Sequence, residues 1–265
     1  MKTRMKLVLA CILSLLAIAP STVSAASYSV DWMQMTPTLF GSAPPFPGTY
    51  NLPGIGSVQM TYTPLANFTE ARFQNVNIAT GSVVYGGDNY SWNNNEMLAR
   101  TNFNSAPNPI NSLWQVTYTF SNTIPAGEII LGVSGLGRRN PTPGTNETVA
   151  DCTSTANVLQ NGTFLGDWTN GQNWGATSFS GGAGNFSMQN SQTGFGGVDP
   201  WWNTGLALVR IDDPVSSLTV VFTHTSGDGL GVNIGSVPEP SSLTLLGMGA
   251  FGLLAGARRW SRKAL

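Results

Sequence analysis

Apolar and polar positions alternate through much of residues 26 to 235. Trp114, Val116, Tyr118 and Phe120 alternate with Gln115, Thr117 and Thr119. Leu218, Val220 and Phe222 alternate with Thr219, Val221 and Thr223, and Val58, Met60 and Tyr62 with Gln59, Thr61 and Thr63. Tyr28, Val30 and Trp32 do the same against Ser29 and Asp31. A period of two sends one set of side chains into a core and the other into water, so each run predicts a half-buried strand. Largely apolar runs at 82–85, 129–133, 206–211 and 230–234 predict more deeply buried strands. Clusters of Gly, Asn, Pro and Ser separate the runs, as in an antiparallel β-sandwich or jelly roll. No stretch of this body holds a helical period beyond two turns; Asn94 to Phe103 alone predicts a short helix.

Two connections are long. Thr36 to Ser57 holds five prolines. Gly166 to Pro200 is rich in Gly, Asn, Ser and Gln, and carries Trp168, Trp174, Phe179, Phe186 and Phe195. Disordered linkers are poor in aromatics, so the second connection predicts short strands joined by glycine turns. No repeat of fixed period occurs, so no solenoid or propeller is expected.

Both ends differ from this body. Lys2, Arg4 and Lys6 precede an apolar run from Leu7 to Ala19, and Val23-Ser24-Ala25 is a small-residue cleavage site. Residues 1–25 therefore read as a helical signal peptide, with Ala26 as the mature N-terminus. Cys11 after Leu9-Ala10 offers an alternative cut, of lipoprotein type. At the other end, Val237-Pro238-Glu239-Pro240-Ser241-Ser242 leads into an uncharged run of 15 residues from Leu243 to Ala257. As a helix that run reaches about 22 Å, short of the ~30 Å hydrocarbon core but close to a marginal span once its flanks are added. Gly252 and Gly256 supply small residues at the spacing that lets helices approach in lipid. Arg258-Arg259-Trp260-Ser261-Arg262-Lys263 follows, and such a cluster stays cytoplasmic, leaving the main chain outside.

This order of Pro-Glu-Pro, apolar run and basic tail, over about residues 236–263, resembles the PEP-CTERM sorting signal. The same motif is also called the ice-binding protein C-terminal domain. In proteins that carry it, an exosortase of Gram-negative bacteria recognises the tail. The resemblance implies that Pro238, Glu239 and Pro240 are recognition residues, that 243–257 is a transient transmembrane anchor, and that Arg258 and Arg259 are its stop. It also implies export through the general secretion machinery and an inner-membrane intermediate. The endpoint is the cell surface or extracellular matrix, often alongside exopolysaccharide. The chain then divides into a signal peptide (1–25), a β-sandwich body (26–235) and a sorting signal (236–265).

Removing the signals changes the electrostatics. Three of the twelve basic residues lie in 1–6 and four follow Ala257, leaving Arg72, Arg100, Arg138, Arg139 and Arg210 against all thirteen acidic residues, a net of −8 over 26–240. An acidic, lysine-free body has no footprint for nucleic acid or anionic lipid. Carbohydrate, divalent cations and surface proteins are compatible partners. Cys152 is the lone cysteine once Cys11 leaves, so no internal disulfide holds the body and an ordinary core must. Cys152 reads most simply as a buried inert thiol.

The search for chemistry is mostly negative. His224 is the one histidine, which excludes a zinc site built from histidines, and no Gly-x-Ser-x-Gly elbow accompanies it. No phosphate loop or dinucleotide fingerprint occurs, and no cofactor is expected. Trp168, Trp174, Trp201 and Trp202 lie in Asn- and Asp-rich connections. Aromatic faces there can cover sugar C–H surfaces while amides take the hydroxyls. Plugging the open ends of a sandwich is the simpler role for them. Asp212, Asp213 and Asp228 are weak calcium candidates, since hard cations want several oxygens, but Asp-Gly turns are ordinary. An ice-ordering surface needs a flat threonine array. Thr61/Thr63, Thr117/Thr119 and Thr223/Thr225 fall on separate strands with no repeat to align them, so none is expected. The five Asn-x-Ser/Thr sequons need no explanation in so Asn- and Ser-rich a chain. The expectation is a non-enzymatic surface protein that binds or is structurally associated with exopolysaccharide. The alternative is a jelly-roll glycan hydrolase with two working carboxylates.

Overall fold

The computed structural model describes residues 27–28, 30–36, 46–66, 70–75, 81–92, 95–100, 112–139, 155–158, 160–167, 177–182, 184–190, 202–224 and 229–237. The expected signal-peptide helix, the 243–257 anchor, Cys152 and the sequons at Asn67 and Asn146 lie outside them. Among the described residues all regular elements are strands, and no helix is long and apolar enough to cross a membrane.

In chain order the strands are β1 (Ser27–Tyr28), β2 (Asp31–Trp32), β3 (Gly48–Leu52), β4 (Gly56–Ala66), β5 (Glu70–Asn75), β6 (Gly81–Tyr85), β7 (Asp88–Trp92), β8 (Asn95–Arg100) and β9 (Ser112–Ile124). Then come β10 (Ile129–Arg139), β11 (Thr155–Val158), β12 (Gly162–Asp167), β13 (Thr177–Gly182), β14 (Asn185–Asn190), β15 (Trp202–Ile211), β16 (Val215–His224) and β17 (Gly229–Ser236). They build three sheets. The middle sheet runs β12-β15-β10-β17-β8-β5, with β2 added to β17. The outer sheet runs β13-β14-β11-β16-β9-β4-β3, and a small sheet runs β1-β7-β6. From β14 to β17 successive strands alternate between outer and middle sheets. Pairing is antiparallel except between β1 and β7, which run parallel.

Two cores follow from the alternation. In the main core, Trp114, Val116, Tyr118, Leu218, Val220 and Phe222 of the outer sheet meet Ile129, Leu131, Val133, Val209, Val232 and Ile234 of the middle sheet, all buried. This makes a β-sandwich. The opposite face of the middle sheet presents Ile130 and Leu208, which pack with Val30, Trp32, Val83, Tyr90 and Leu165 in a second core. The small sheet therefore covers the middle one. The Trp32 indole N–H donates to the Ser91 carbonyl at 2.8 Å and pins that cover. Gly235 lies under it: a Cβ there would overlap the Val30 side chain. The β6–β7 hairpin closes through Gly86 and Gly87, both at positive φ, which suits a two-residue turn.

The short helix expected over Asn94 to Phe103 is not formed. Asn95–Arg100 is instead strand β8, paired antiparallel with both β5 and β17. Two ladders outweigh the weak helical tendency of so short a segment. The proline-rich connection also holds more structure than its composition suggested, because Thr49 to Leu52 pair along β4.

Candidate functional site

Of the sequence-derived site residues, Asp212 and Asp213 are described in full. They form the turn between β15 and β16, beside the Asn161 turn that precedes β12. Asp212 accepts from Arg210 Nε at 2.9 Å and from Thr163 Oγ1 at 2.5 Å. Its backbone N–H donates to the Asn161 carbonyl at 2.9 Å. Asp213 accepts from the Asn161 backbone N–H at 2.8 Å and from its side-chain amide at 3.0 Å. The Asn161 side-chain oxygen in turn accepts from the Gly184 N–H at 2.6 Å. Three turns are thus clipped together at one end of the sandwich. The hydrogen bonds from the Asn161 side chain and backbone hold the Asp213 carboxyl below the usual aspartate range, against a small opposing effect of desolvation. Neighbouring in sequence, the two carboxylates serve different partners and do not converge on one point. Asp228 lies outside the described residues, among which no cluster of three His, Cys, Asp or Glu side chains gathers.

Trp168 and Trp174 fall in the 168–176 connection, outside the described residues, but its base is described. Asp167 at the end of β12 accepts from the Thr177 N–H at 2.8 Å and from its hydroxyl at 2.5 Å. This pair closes the connection like a clasp. Trp201 is outside the description. Trp202 opens β15 opposite Arg139 on β10. His224 ends β16 opposite Ser112 on β9. Pro238, Glu239, Pro240, Arg258 and Arg259 all lie outside the described residues.

The approach to the tail is described. Ser236 is the last residue of β17 and is buried, with its hydroxyl donating to the Pro53 carbonyl at 2.5 Å. The Val237 N–H donates to the Glu128 carbonyl at 3.0 Å. Pro238 is the next residue, so the sandwich runs directly into the Pro-Glu-Pro segment.

The expectation that the threonine pairs lack alignment is corrected by the strand register. Thr61 on β4 faces Thr117 on β9, which faces Thr219 on β16. The Thr117 and Thr219 hydroxyl oxygens lie 3.0 Å apart. Gln59, Thr119 and Ser217 form the adjacent row, and Thr49 on β3 extends it. On the other side Thr63, Gln115, Val221, Asn157, Ser187 and Ser180 are matched across six strands. Thr223 stands apart from the threonine row, opposite Leu113 and Thr155. Sequence spacing cannot show such rows, because pairing register depends on partner strands distant in the chain.

Comparison with known proteins adds the tail. A family model of the PEP-CTERM protein-sorting motif matches residues 236–259. The motif marks an exported protein that is processed at the membrane and then associated with the surface. No curated protein matches the chain. Among solved structures, TmCBM61 in complex with β-1,4-galactotriose is similar over 68% of this chain and 88% of that one, at 8% identity and a TM-score of 0.31. The enzymatically active domain of tailspike protein 4 from bacteriophage CBA120 is similar over 68% of this chain and 19% of that one, at 12% identity and a TM-score of 0.28. The carbohydrate-binding module TmCBM27, solved for its mannan recognition, is similar over 66% of this chain and 86% of that one, at 9% identity and a TM-score of 0.24.

Proposed function

We propose that this protein is delivered to the cell surface by exosortase processing of its tail and associates there, without catalysis, with extracellular polysaccharide. The observation that carries the reading is the sorting motif at residues 236–259, which starts on the last residue of β17 and reaches Pro238 directly after Val237. A body so joined is cargo, displayed wherever the tail is processed. Its acidic charge turns away nucleic acid and anionic lipid, and leaves hydroxyl-rich polymers as natural company. The non-enzymatic half of the reading is supported by Asp167, Asp212 and Asp213, whose oxygens serve loop-closing hydrogen bonds. A hydrolytic pair must instead keep two carboxyl groups free to face one glycosidic bond.

The test is co-fractionation. The exported protein, isolated from the producing cell's surface, is expected to sediment with that cell's polysaccharide and to leave its chain length unchanged. Release of reducing ends would replace this reading with the two-carboxylate hydrolase. Absence of the protein from the polysaccharide fraction would remove the association altogether.

A further inference from the structure

Among the described residues, the outer sheet is covered on one face only. The middle sheet has the main core on one side and the small sheet on the other. The outer sheet turns Trp114, Tyr118, Leu218 and Phe222 inward, and its other face is mostly Thr, Ser, Gln and Asn, with Val221 among them and Leu65 exposed near the end of β4. Thr49, Gln59 and Thr119 on that face are exposed, while Thr61, Thr117 and Thr219 are half-buried by their neighbours in the rows.

The chemistry of this face narrows what can dock on it. No described side chain on it is charged, although residues 26–240 carry thirteen acidic residues and five arginines. An anionic polymer meets no cation there, and a cationic one meets no carboxylate. A second copy of the chain gains little by covering it, because the face offers little apolar area and every hydroxyl would give up water. An uncharged polymer dense in hydroxyl groups fits: threonine hydroxyls and glutamine amides both donate and accept, and threonine methyls meet sugar C–H groups. The strands also hold these groups in place. Neighbouring strands are about 4.8 Å apart, and same-face residues about 6.7 Å apart along each strand. The Thr117–Thr219 contact fixes two hydroxyls before any ligand arrives. A preorganised polar platform loses less side-chain entropy on binding.

We infer that the outward face of the outer sheet, centred on Thr61, Thr117 and Thr219 and extended by Gln59, Gln115 and Thr119, is a binding platform for a neutral polysaccharide. The inference rests on the proposed polysaccharide association and names its site and the charge class of its ligand. It places contact on the sheet rather than on the tryptophan-bearing connections. The long amides beside the threonines favour a hydroxylated polymer over ordered water, which demands a uniform array.

Affinity electrophoresis of the exported protein through gels of mannan, mixed-linkage β-glucan, dextran or alginate tests it. Retardation is expected in at least one neutral gel and not in alginate. The exposed pair Gln59→Ala/Thr119→Ala, and separately the triple Thr61→Val/Thr117→Val/Thr219→Val, are expected to weaken retardation about tenfold, as for loss of two or three modest hydrogen bonds. Unchanged circular dichroism identifies folded variants, and the exposed pair keeps the test valid should the triple unfold. Retardation of wild type that both variants retain in full would overturn the platform while leaving polysaccharide association intact, with Trp168→Ala and Trp174→Ala then expected to abolish it. Retardation in alginate alone would overturn the neutral-ligand assignment. No retardation in any gel would overturn platform and association together, and ice-recrystallisation inhibition in that case would assign the rows to ordered water.

Discussion

Trp114 lies on Phe222 with ring centroids 4.1 Å apart and planes 15° from parallel. The two residues are direct partners in the β9–β16 ladder and both are fully buried. Tyr62 approaches the other side of the indole at 5.8 Å. This aromatic stack packs on the inward side of the strands that carry Thr117 and Thr219 outward. Trp114→Ala is expected to cost about 3–5 kcal/mol, the range for a buried large aromatic. Phe222→Ala should fall in the same range, and the double variant should cost less than the sum, because the pair shares one contact. Urea denaturation of the three variants checks both the size and the coupling.

Tyr118 follows from the same strand pattern with the opposite sign. Alternation drives its ring into the main core, where it is fully buried, and its hydroxyl has no hydrogen-bond partner among the described residues. Burial pushes the phenol above its ordinary range. An orphan hydroxyl in a core carries a desolvation cost with no return. Tyr118→Phe keeps the ring and removes that cost, and is expected to stabilise the fold by about 1 kcal/mol. A thermal melt that shows a lower midpoint for the variant would assign the hydroxyl a bonding role.

The strands around Trp114 and Leu218 were legible in the sequence because each has a clean period of two. So were the aromatics of the glycine-rich connection, where Phe179 and Phe186 lie on strands and pack at 5.3 Å. Asn95–Arg100 was misread, because Met97, Leu98 and Ala99 suit a helix as well as a strand and only β5 and β17 decide between them. The threonine row was missed for a related reason. Thr219 could be placed on an outward face, but its match to Thr117, about a hundred residues away, is a property of pairing. Asn161 gave no signal either: its role as the hub for Asp212, Asp213 and Gly184 exists only once three distant turns meet.

Asp213 gives a prediction in acid. Its carboxyl is held below the ordinary aspartate value near 4 by the Asn161 side-chain and backbone donors. A folded value below the unfolded one means that the charged form stabilises the native state above the unfolded value. That contribution disappears as pH falls through the folded value. Melting temperatures of wild type are therefore expected to exceed those of Asp213→Asn at neutral pH, with the gap closing as pH falls below about 4. A gap that does not narrow in acid would attribute the difference to shape rather than charge.

The junction between fold and tail yields the last prediction. The matched sorting motif begins at Ser236, which is still a buried residue of β17 held to Pro53, and Val237 is held to Glu128. Two residues of the motif thus belong to the sandwich, and the Pro-Glu-Pro segment follows them directly. Ser236→Ala removes one hydrogen bond at a buried site and is expected to cost about 1 kcal/mol of stability. Replacing Pro238, Glu239 and Pro240 by alanine touches no described contact of the sandwich and should leave the melting temperature unchanged. The same replacement should trap the protein in the membrane fraction with its tail attached, measured as intact mass after cell fractionation. Normal release of the triple-alanine protein would detach these three residues from sorting. A fall in its melting temperature would mean that the sandwich extends past Val237 and that processing has to loosen its edge first.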